Sequence, residues 1–326
     1  MLKMEKLQKK PSKSTFKSFY LSLRLLDIIF TKMKTTFTEI EASSALHYHA
    51  REFATNWDMN IYRGCGHRCR YCFAQYTHFY LNSDNFFDEI FVKTNISDVL
   101  EKDMSKRTWA NEPVNICGVT DCYQPAEVKY KLVPKVLKRF IQHKNPIVIT
   151  TKSKLIERDF ELIKELNEVA EVRIGISVTT TNEKLRRILE PYAAPTIDRF
   201  KALEKFAKIG CKTAVLLMPV IPYMTDFKSN LDEIFRLAKE SGTKRLLAWP
   251  LHLRGNTKGM FFNFIKETYP QLYPKFREMY AGRSSNVKKE YFKYIMEMVY
   301  ELRCKYSLFN PKDEPDKSPV QPTLFD

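Results

Sequence analysis

The stretch DMNIYRGCGHRCRYC (58–72) begins with DMNIY (58–62), whose pattern predicts a β-strand. A cysteine-rich loop follows directly. Cys65, Cys69 and Cys72 are three of only 7 cysteines in the 326 residues. An odd number of clustered cysteines is not typical of a disulfide framework. It fits a reducing cytoplasm in which thiolates bind metal.

The same rhythm of a short apolar strand followed by a helix recurs as far as residue 250. The strands are nearly continuous runs rich in Val and Ile, which is typical of parallel strands buried on both faces. Six βα units favour an α/β fold with a partial parallel (β/α)6 barrel, and a doubly wound open sheet is the alternative. Beyond the first strand we predict strands at 114–119, 146–151, 172–178, 212–220 and 245–249, and helices at 127–144, up to Glu168, around 182–189 and 196–209, and at about 227–240.

Polar residues follow the predicted strands at the point where each strand ends. GVTD (118–121) follows the second strand, TTKS (150–153) the third, and SVTTT (177–181) the fourth. Because the carboxyl ends of parallel barrel strands open on one face, these residues are expected to share one pocket.

Composition and length predict four segments. A hydrophobic content of 44% in 326 residues is enough for one large α/β domain with additions. We predict a basic extension at 1–37, the core at 38–255, C-terminal helices at 256–306 and a disordered tail at 307–326. The apolar stretch at 19–30 is interrupted by charges, so it predicts neither a signal peptide nor a membrane span. It is either an upstream extension or a surface-seeking helix.

The charge balance favours a polyanionic partner. The chain has 54 Lys and Arg against 38 Asp and Glu, a formal net charge of +16. Nucleic acid is the obvious partner for such an excess. Residues 1–35 contribute +7 of it, nine basic residues minus two acidic ones, so the remainder is only moderately basic.

Three thiolates from one loop suit a [4Fe-4S] cluster. They hold three of the irons and leave the fourth without a protein ligand. The alternative is a zinc site with three cysteines and either His67 or His78, but the chain has no second CxxC knuckle.

The cysteine loop also resembles a known family. Cys65-x3-Cys69-x2-Cys72, with Tyr71 just before the third cysteine, resembles the radical S-adenosylmethionine superfamily. A wider set of segments resembles its spore photoproduct lyase-like, or DNA repair photolyase-like, branch. These segments are NIYRGCGHRCRYCFAQYTH (60–78), VKTN (92–95), GVTDCYQPAE (118–127), TTKS (150–153), LEP (189–191) and PVIPYMTD (219–226).

The resemblance implies two cofactors, a [4Fe-4S] cluster and S-adenosyl-L-methionine, whose amino and carboxylate groups chelate the open iron. It implies reductive cleavage to a 5′-deoxyadenosyl radical, which takes a hydrogen atom from the substrate. Tyr71 would lie near the adenine. Lys152 would meet the carboxylate, and Thr120 and Ser177 would offer hydroxyls to the sugar.

Other polar residues remain open between two interpretations. Glu127 and Arg199 are either part of the site or solvated charges on helices.

One departure from the branch affects the expected reaction. Spore photoproduct lyases use a cysteine at the end of the second strand to return a hydrogen atom to the product radical. Here Gly118 stands in that place, between Cys117 and Cys122. We expect Cys117 to be a packing residue. Cys122, in the loop after the strand, is either the hydrogen-atom donor or another small buried residue.

The resemblance and the tail suggest partners. The leading hypothesis includes an electron donor of flavodoxin or ferredoxin type and a nucleic-acid substrate such as a DNA lesion. QPTLFD (321–326) resembles peptides that dock into bacterial sliding clamps, with Leu324 and Phe325 in an apolar pocket and Gln321 at its rim. The alternatives are a radical enzyme that modifies RNA, protein or a metabolite, and a non-catalytic metal module that binds nucleic acid.

Overall fold

Short buried strands alternate with helices through most of the chain. The computed structural model describes residues 35–50, 55–81, 83, 85–116 and 118–308. The strands in these ranges are β1 Thr36–Ile40, β2 His47–Tyr48, β3 Trp57–Met59, β4 Tyr62–Arg63, β5 Glu89–Lys93, β6 Val114–Ile116, β7 Ile147–Thr151, β8 Val172–Ser177, β9 Lys212–Val220 and β10 Leu246–Pro250.

The helices follow the strands along the chain. The α-helices are α1 Ile96–Met104, α2 Pro125–Tyr130, α3 Val133–Gln142, α4 Phe160–Val169, α5 Glu183–Leu189, α6 Thr196–Lys208, α7 Lys228–Glu240, α8 Asn256–Thr268, α9 Tyr273–Met279 and α10 Lys289–Tyr306. Short 3-10 helices lie at Phe73–Leu81, Lys154–Asp159 and Pro270–Leu272.

The larger sheet confirms the predicted parallel architecture. Within the described residues its strand order is β10-β9-β8-β7-β6-β3-β2, and all neighbours are parallel except β2 and β3. Each parallel strand pairs with the next strand of this sheet along the chain, β4 and β5 belonging to the smaller sheet, so the order never reverses as it does in a doubly wound sheet. Right-handed crossovers then place the connecting helices on one side. This is the partial (β/α)6 arrangement, and it brings the carboxyl ends of six strands to one edge.

Side-chain burial explains why these strands form. Val172, Ile174 and Ile176 of β8 are almost completely buried, as are Val215 and Leu217 of β9, with which β8 pairs in register. Residues two apart along a strand lie on the same face of a sheet, so these side chains form one continuous apolar face in the core.

The predicted helix at 127–144 is two helices. Helix α2 ends where Lys131 adopts a left-handed conformation, with φ 49°. Helix α3 then begins at Val133, with Pro134 in its first turn, where a proline costs no hydrogen bond. The break reorients the chain and lets the side chain of Glu127 cap the new helix.

A small sheet was not predicted from the sequence. Strand β1 pairs in parallel with β5, and β5 pairs antiparallel with β4. The predicted boundary between residues 37 and 38 falls inside β1. The proposed division into segments otherwise remains a prediction, and residues 309–326 of the predicted tail lie outside the described residues.

The C-terminal helices lie in two places. Helix α10 packs on α7 and β10, where Arg303 donates a hydrogen bond to the carbonyl of Leu246 at 3.0 Å. Helices α8 and α9 instead join an apolar cluster that includes Cys69 and Tyr71. In the described part of the chain, no helix is long and apolar enough to cross a membrane.

Candidate active site

The three cysteines lie on a loop between β4 and the 3-10 helix that begins at Phe73. Gly64 opens the loop with φ +82°, and a Cβ there would lie 2.5 Å from the carbonyl oxygen of Glu89. Only glycine fits that position without a clash. The backbone N–H of Cys65 donates to the carbonyl of Phe86 at 3.1 Å, and that of Cys72 to Cys69 at 3.0 Å.

The chemical environment of the three thiols fits a metal cluster. Cys65 and Cys69 are buried and Cys72 is half-buried, and all three are free. Burial raises the pKa of Cys65 and of Cys72 to about 12, and it also raises the pKa of Cys69 above its usual range. Thiolates are the metal-binding form, so the positive charge of bound iron is what would stabilise them here.

The spacing of these side chains does not fit a single zinc ion. Among the described residues, no three His, Cys, Asp or Glu side chains are placed to hold one metal ion. In a four-iron cluster each thiolate binds a different iron, so its ligands need not converge on one point.

The two candidate histidines, His67 in the loop and His78 in the 3-10 helix that follows it, are engaged elsewhere. The ring of His67 lies 3.1 Å (Nδ1) from the carbonyl oxygen of Tyr192 and 3.0 Å (Nε2) from the carboxylate of Asp121. His78 contacts the carbonyl of Glu89 at 2.8 Å. The cluster, rather than a Cys3His zinc site, therefore fits the residues present.

Asp121 connects the cysteine loop to the ends of two strands. Besides His67, its carboxylate accepts hydrogen bonds from the Thr151 hydroxyl at 2.8 Å, the Lys152 backbone N–H at 2.8 Å and the Tyr123 N–H at 2.9 Å. Burial alone would raise the pKa of Asp121, but His67 and these donors outweigh it and hold the pKa below its ordinary value. The loop is thus tied to the carboxyl ends of β6 and β7.

Two residues that the sequence nominated for the cosubstrate, Lys152 and Ser177, lie at the ends of the neighbouring strands β7 and β8. The Lys152 ammonium lies 5.9 Å from the centre of the Tyr71 ring. Ser177 ends β8 and is 7% exposed. Lys152 and Tyr71 therefore come together, and Ser177 is linked to them through Arg199, whose guanidinium donates to its carbonyl at 2.7 Å.

Thr120 is already engaged by the protein. Its hydroxyl donates to the carbonyl of Tyr62 at 3.1 Å, and its backbone N–H lies 3.3 Å from the side-chain oxygen of Asn60. Thr120 therefore fixes the β6 end against the start of the cysteine loop. Its contact with the cosubstrate remains a prediction.

Glu190 and Arg199 form a buried ion pair beneath the cysteine loop. Glu190 is 0% and Arg199 1% exposed, and their charged groups lie 2.5 Å apart. The hydroxyl of Tyr71 donates to the second carboxylate oxygen of Glu190. The interpretation of Arg199 as a solvated helix charge is therefore wrong.

Glu127 is also buried rather than solvated. It accepts from the Tyr62 hydroxyl at 2.5 Å and pairs with Arg158 at 2.6 Å. Its carboxylate also accepts the backbone N–H groups of Leu132 and Val133 at 3.1 Å each. These are the unsatisfied donors at the start of α3, so Glu127 caps that helix.

The position of the expected hydrogen-atom donor is sterically restricted. A Cβ on Gly118 would lie 2.9 Å from a carboxylate oxygen of Asp58, closer than side chains normally approach. Cys122 is buried and disulfide-bonded, which the clustered cysteines had not predicted. A disulfide sulfur carries no hydrogen, so a donor role for Cys122 requires its reduced thiol and remains a prediction. Cys117 lies outside the described residues.

Helices α8 and α9 close one side of this region. Cys69 and Tyr71 share an apolar cluster with Phe261, Ile265 and Phe276 from these helices. This apolar layer shields Cys69 and Tyr71 from water on that side of the loop.

Sequence reasoning missed the residues that organise the site rather than those that line it. Asp121 and Glu190 both stood in quoted segments, GVTD and LEP, but no role was assigned to them. Gln124 was also missed, although it fixes the loop by accepting from the Gly66 N–H at 2.8 Å and donating to the Gly64 carbonyl at 2.9 Å. A carboxylate or amide directly beside a strand-end motif was the available signal.

Comparison with known proteins identifies relatives over most of the chain. The sequence profile of the Radical SAM superfamily matches residues 59–241. An uncharacterized protein of Mycobacterium tuberculosis is 32% identical over 301 residues, covering 89% of this chain and 88% of that protein. An uncharacterized protein of Methanocaldococcus jannaschii is 24% identical over 247 residues, covering 76% of this chain and 86% of the relative.

Solved structures of spore photoproduct lyase share the fold. The complex of that enzyme with dinucleoside spore photoproduct has a TM-score of 0.63 at 14% identity, covering 92% of this chain and 85% of that one. A variant with bound AdoMet and dinucleoside spore photoproduct also gives 0.63 at 14% identity, covering 83% and 79%. The likeness confirms the predicted fold.

Proposed function

Because the chain belongs to the radical S-adenosylmethionine superfamily, whose members use a [4Fe-4S] cluster and S-adenosylmethionine, we propose a specific reaction for it. The protein reductively cleaves S-adenosylmethionine and abstracts a hydrogen atom from a nucleic-acid substrate. One observation carries the proposal: the buried loop with Cys65, Cys69 and Cys72 lies beside strand ends that present Lys152 and Ser177. A module that only binds nucleic acid has no need of polar strand ends gathered beside a buried cysteine loop.

Each residue of the site has a separate role toward the two cofactors. Cys65, Cys69 and Cys72 hold three irons and leave the fourth for the amino and carboxylate groups of the cosubstrate. Once bound, the two cofactors supply a 5′-deoxyadenosyl radical. Lys152 neutralises the cosubstrate carboxylate. The Tyr71 ring, which lies next to the Lys152 ammonium, forms one wall of the site.

Two observations support nucleic acid as the substrate class. The fold is shared with an enzyme solved with a dinucleoside lesion. The segment 254–293, which we call the C-terminal cover, has nine Lys or Arg against three Glu. Partly buried aromatic side chains lie among these cations, including Phe262, Phe264 and Tyr273. Cations interleaved with aromatic rings are the usual composition of surfaces that hold unpaired bases.

Within that class we propose a DNA lesion, repaired in a reaction like that of spore photoproduct lyase. Gly118 stands where that enzyme has a cysteine, so the hydrogen atom would return to the product from another donor, for which the reduced form of Cys122 is the candidate. RNA, protein or a metabolite is the alternative substrate.

The decisive experiment is anaerobic reconstitution with iron and sulfide, followed by reduction in the presence of S-adenosylmethionine. We expect four irons per chain on the stoichiometry of the cluster, formation of 5′-deoxyadenosine, and a new product from ultraviolet-irradiated DNA but not from undamaged DNA. Cys69→Ala should abolish 5′-deoxyadenosine formation. Cys211→Ala, at a buried cysteine remote from the loop, is the matched control and should retain it.

The outcomes separate the parts of the proposal. Zinc in the loop, or no 5′-deoxyadenosine, would refute the radical reaction. Formation of 5′-deoxyadenosine with identical products from irradiated and undamaged DNA would refute the DNA lesion and leave the radical reaction standing.

Cellular context is proposed on the same basis. A cytoplasmic location and an electron donor of flavodoxin or ferredoxin type suit a reduced cluster. Docking to a sliding clamp through Gln321, Leu324 and Phe325 remains a proposal, because these residues lie outside the described residues.

A further inference from the structure

Two buried Tyr–Glu–Arg triads stand out in the described part of the chain. In the first, Glu190 accepts from the Tyr71 hydroxyl and pairs with Arg199 at 2.5 Å. In the second, Glu127 accepts from the Tyr62 hydroxyl at 2.5 Å and pairs with Arg158 at 2.6 Å. Both carboxylates are 0% exposed. The chemistry is the same, so differences in surroundings indicate differences in role.

The second triad has a structural role that accounts for its charge. Glu127 caps α3 through the N–H groups of Leu132 and Val133. A carboxylate at a helix N-terminus is stabilised by the backbone donors and by the helix dipole.

The first triad has no such helix to cap. Within the described residues, the Glu190 carboxylate is bound by side chains alone, those of Tyr71 and Arg199. The Arg199 guanidinium in turn donates to the carbonyls of Ala194 at 2.8 Å and Ser177 at 2.7 Å. The triad therefore links the residue before Cys72 to the end of β8.

A buried ion pair is a poor source of stability, because desolvation of two charges offsets most of their attraction. Arg199 is nonetheless the bulkiest fully buried side chain among the described residues. A charged pair that adds little stability, placed directly beneath the metal-binding loop, points to a role in the chemistry of that loop.

Three charges surround the cysteine loop on this side. The Lys152 ammonium stands near the Tyr71 ring. The hydroxyl of Tyr71, two residues beyond Cys69 along the loop, is not charged, but it donates to Glu190, and Glu190 pairs with Arg199. The balance is two positive charges against one negative charge.

We propose that Glu190 and Arg199 are positioning residues that hold Tyr71 against the cysteine loop, and that the Glu190 carboxylate, set against Lys152 and Arg199, lowers the reduction potential of the cluster. The inference rests on the presence of the cluster and is independent of the substrate. Reduction adds one negative charge to the cluster, so a fixed negative charge nearby opposes it and a fixed positive charge favours it.

The test is a redox titration of the reconstituted protein, followed by the electron paramagnetic resonance signal of the reduced cluster, without S-adenosylmethionine. Glu190→Gln keeps an acceptor for Tyr71 and removes the charge, so we expect the potential to shift to less negative values. Glu190→Asp restores the charge and should return the potential towards that of the unaltered protein.

Glu127→Gln is the matched control. It removes the same charge from the same kind of triad, and we expect an unchanged potential with a lower unfolding midpoint, because the cap of α3 is weakened. Lys152→Gln removes a positive charge from the partly exposed edge of the site and should shift the potential to more negative values.

Opposite shifts for Glu190→Gln and Lys152→Gln, with no shift for Glu127→Gln, support the inference. An unchanged potential in Glu190→Gln, or an equal shift in Glu127→Gln, would overturn it. If Glu190→Gln does not take up iron, Lys152→Gln decides, and an unchanged potential there overturns the charge balance. The potentials are measured without S-adenosylmethionine, so failure of this inference is distinguishable from failure of the proposed function, which the formation of 5′-deoxyadenosine by the unaltered protein tests.

Discussion

Removal of the Asp121 carboxylate tests whether one side chain fixes the cysteine loop to the strand ends. In the structure it accepts from four donors: the side chains of His67 and Thr151, and the backbone N–H groups of Tyr123 and Lys152. Asp121→Ala leaves all four without this partner. A net hydrogen bond is worth about 1 kcal/mol and a buried donor left unpaired costs ~1–3 kcal/mol. We therefore expect a loss of about 3–5 kcal/mol in the free energy of unfolding, the range for a broken buried pair.

The assay is urea denaturation of the metal-free protein, followed by circular dichroism at neutral pH. Asp121→Asn retains one acceptor oxygen and should lose about half as much as Asp121→Ala, because the NH2 that replaces the second oxygen cannot accept from the remaining donors. Asp98→Ala is the control: its side chain is 75% exposed and lies 3.5 Å from Arg139. Such a surface pair contributes less than ~1 kcal/mol.

The same variants connect stability to function. With the loop released from β6 and β7, Asp121→Ala should also retain less iron after reconstitution than Asp98→Ala. A loss of unfolding free energy below ~1 kcal/mol in Asp121→Ala, equal to that of the surface control, would refute the reasoning.

Two further changes have a defined direction. Gly118→Ala places a Cβ 2.9 Å from the Asp58 carboxylate, and this overpacking should lower the free energy of unfolding by about 1–3 kcal/mol. Adding Asp58→Ala should recover part of that loss. Full stability of Gly118→Ala in chemical denaturation would contradict this. Burial lowers the pKa of Lys93 to about 8. The unfolded chain, with an ordinary lysine pKa of ~10.4, then binds more protons between these values, so stability rises as pH increases through that window. Lys93→Met should flatten this rise, whereas Lys102→Met, at an exposed site, should keep it; equal pH profiles for the unaltered protein and Lys93→Met would exclude the effect.

The prediction of a single first strand at 58–62 is wrong, because these residues divide between β3 and β4 of two different sheets. The other core strands were predictable because each is a largely apolar run. Strand β9, predicted and found at Lys212–Val220, is the clearest case. Strand β1 escaped prediction because it is largely exposed and has no apolar run. The helix expected at 127–144 was divided by a left-handed residue, Lys131, that carries no glycine or asparagine signal.

The cluster ligands were predictable for a different reason: the three cysteines are close in sequence, so their spacing is itself the signal. The residues that organise the loop are distant in sequence. Asp121 lies 54 positions from His67, and Glu190 lies 119 positions from Tyr71. No local pattern distinguishes such carboxylates from charges on a surface helix, which is how Glu127 and Arg199 came to be left open between two interpretations.

The sequence by itself determined the order of βα units and the three thiols of the loop, because burial on both faces of a strand and metal ligation by a short loop both leave local patterns. Only the tertiary structure decided which charges are buried, which carboxylate caps a helix and which one stands beneath the cysteines. Those outcomes depend on strands and helices meeting at one edge of the sheet, and a charge acquires its role only when its distant partners and its loss of water are specified together.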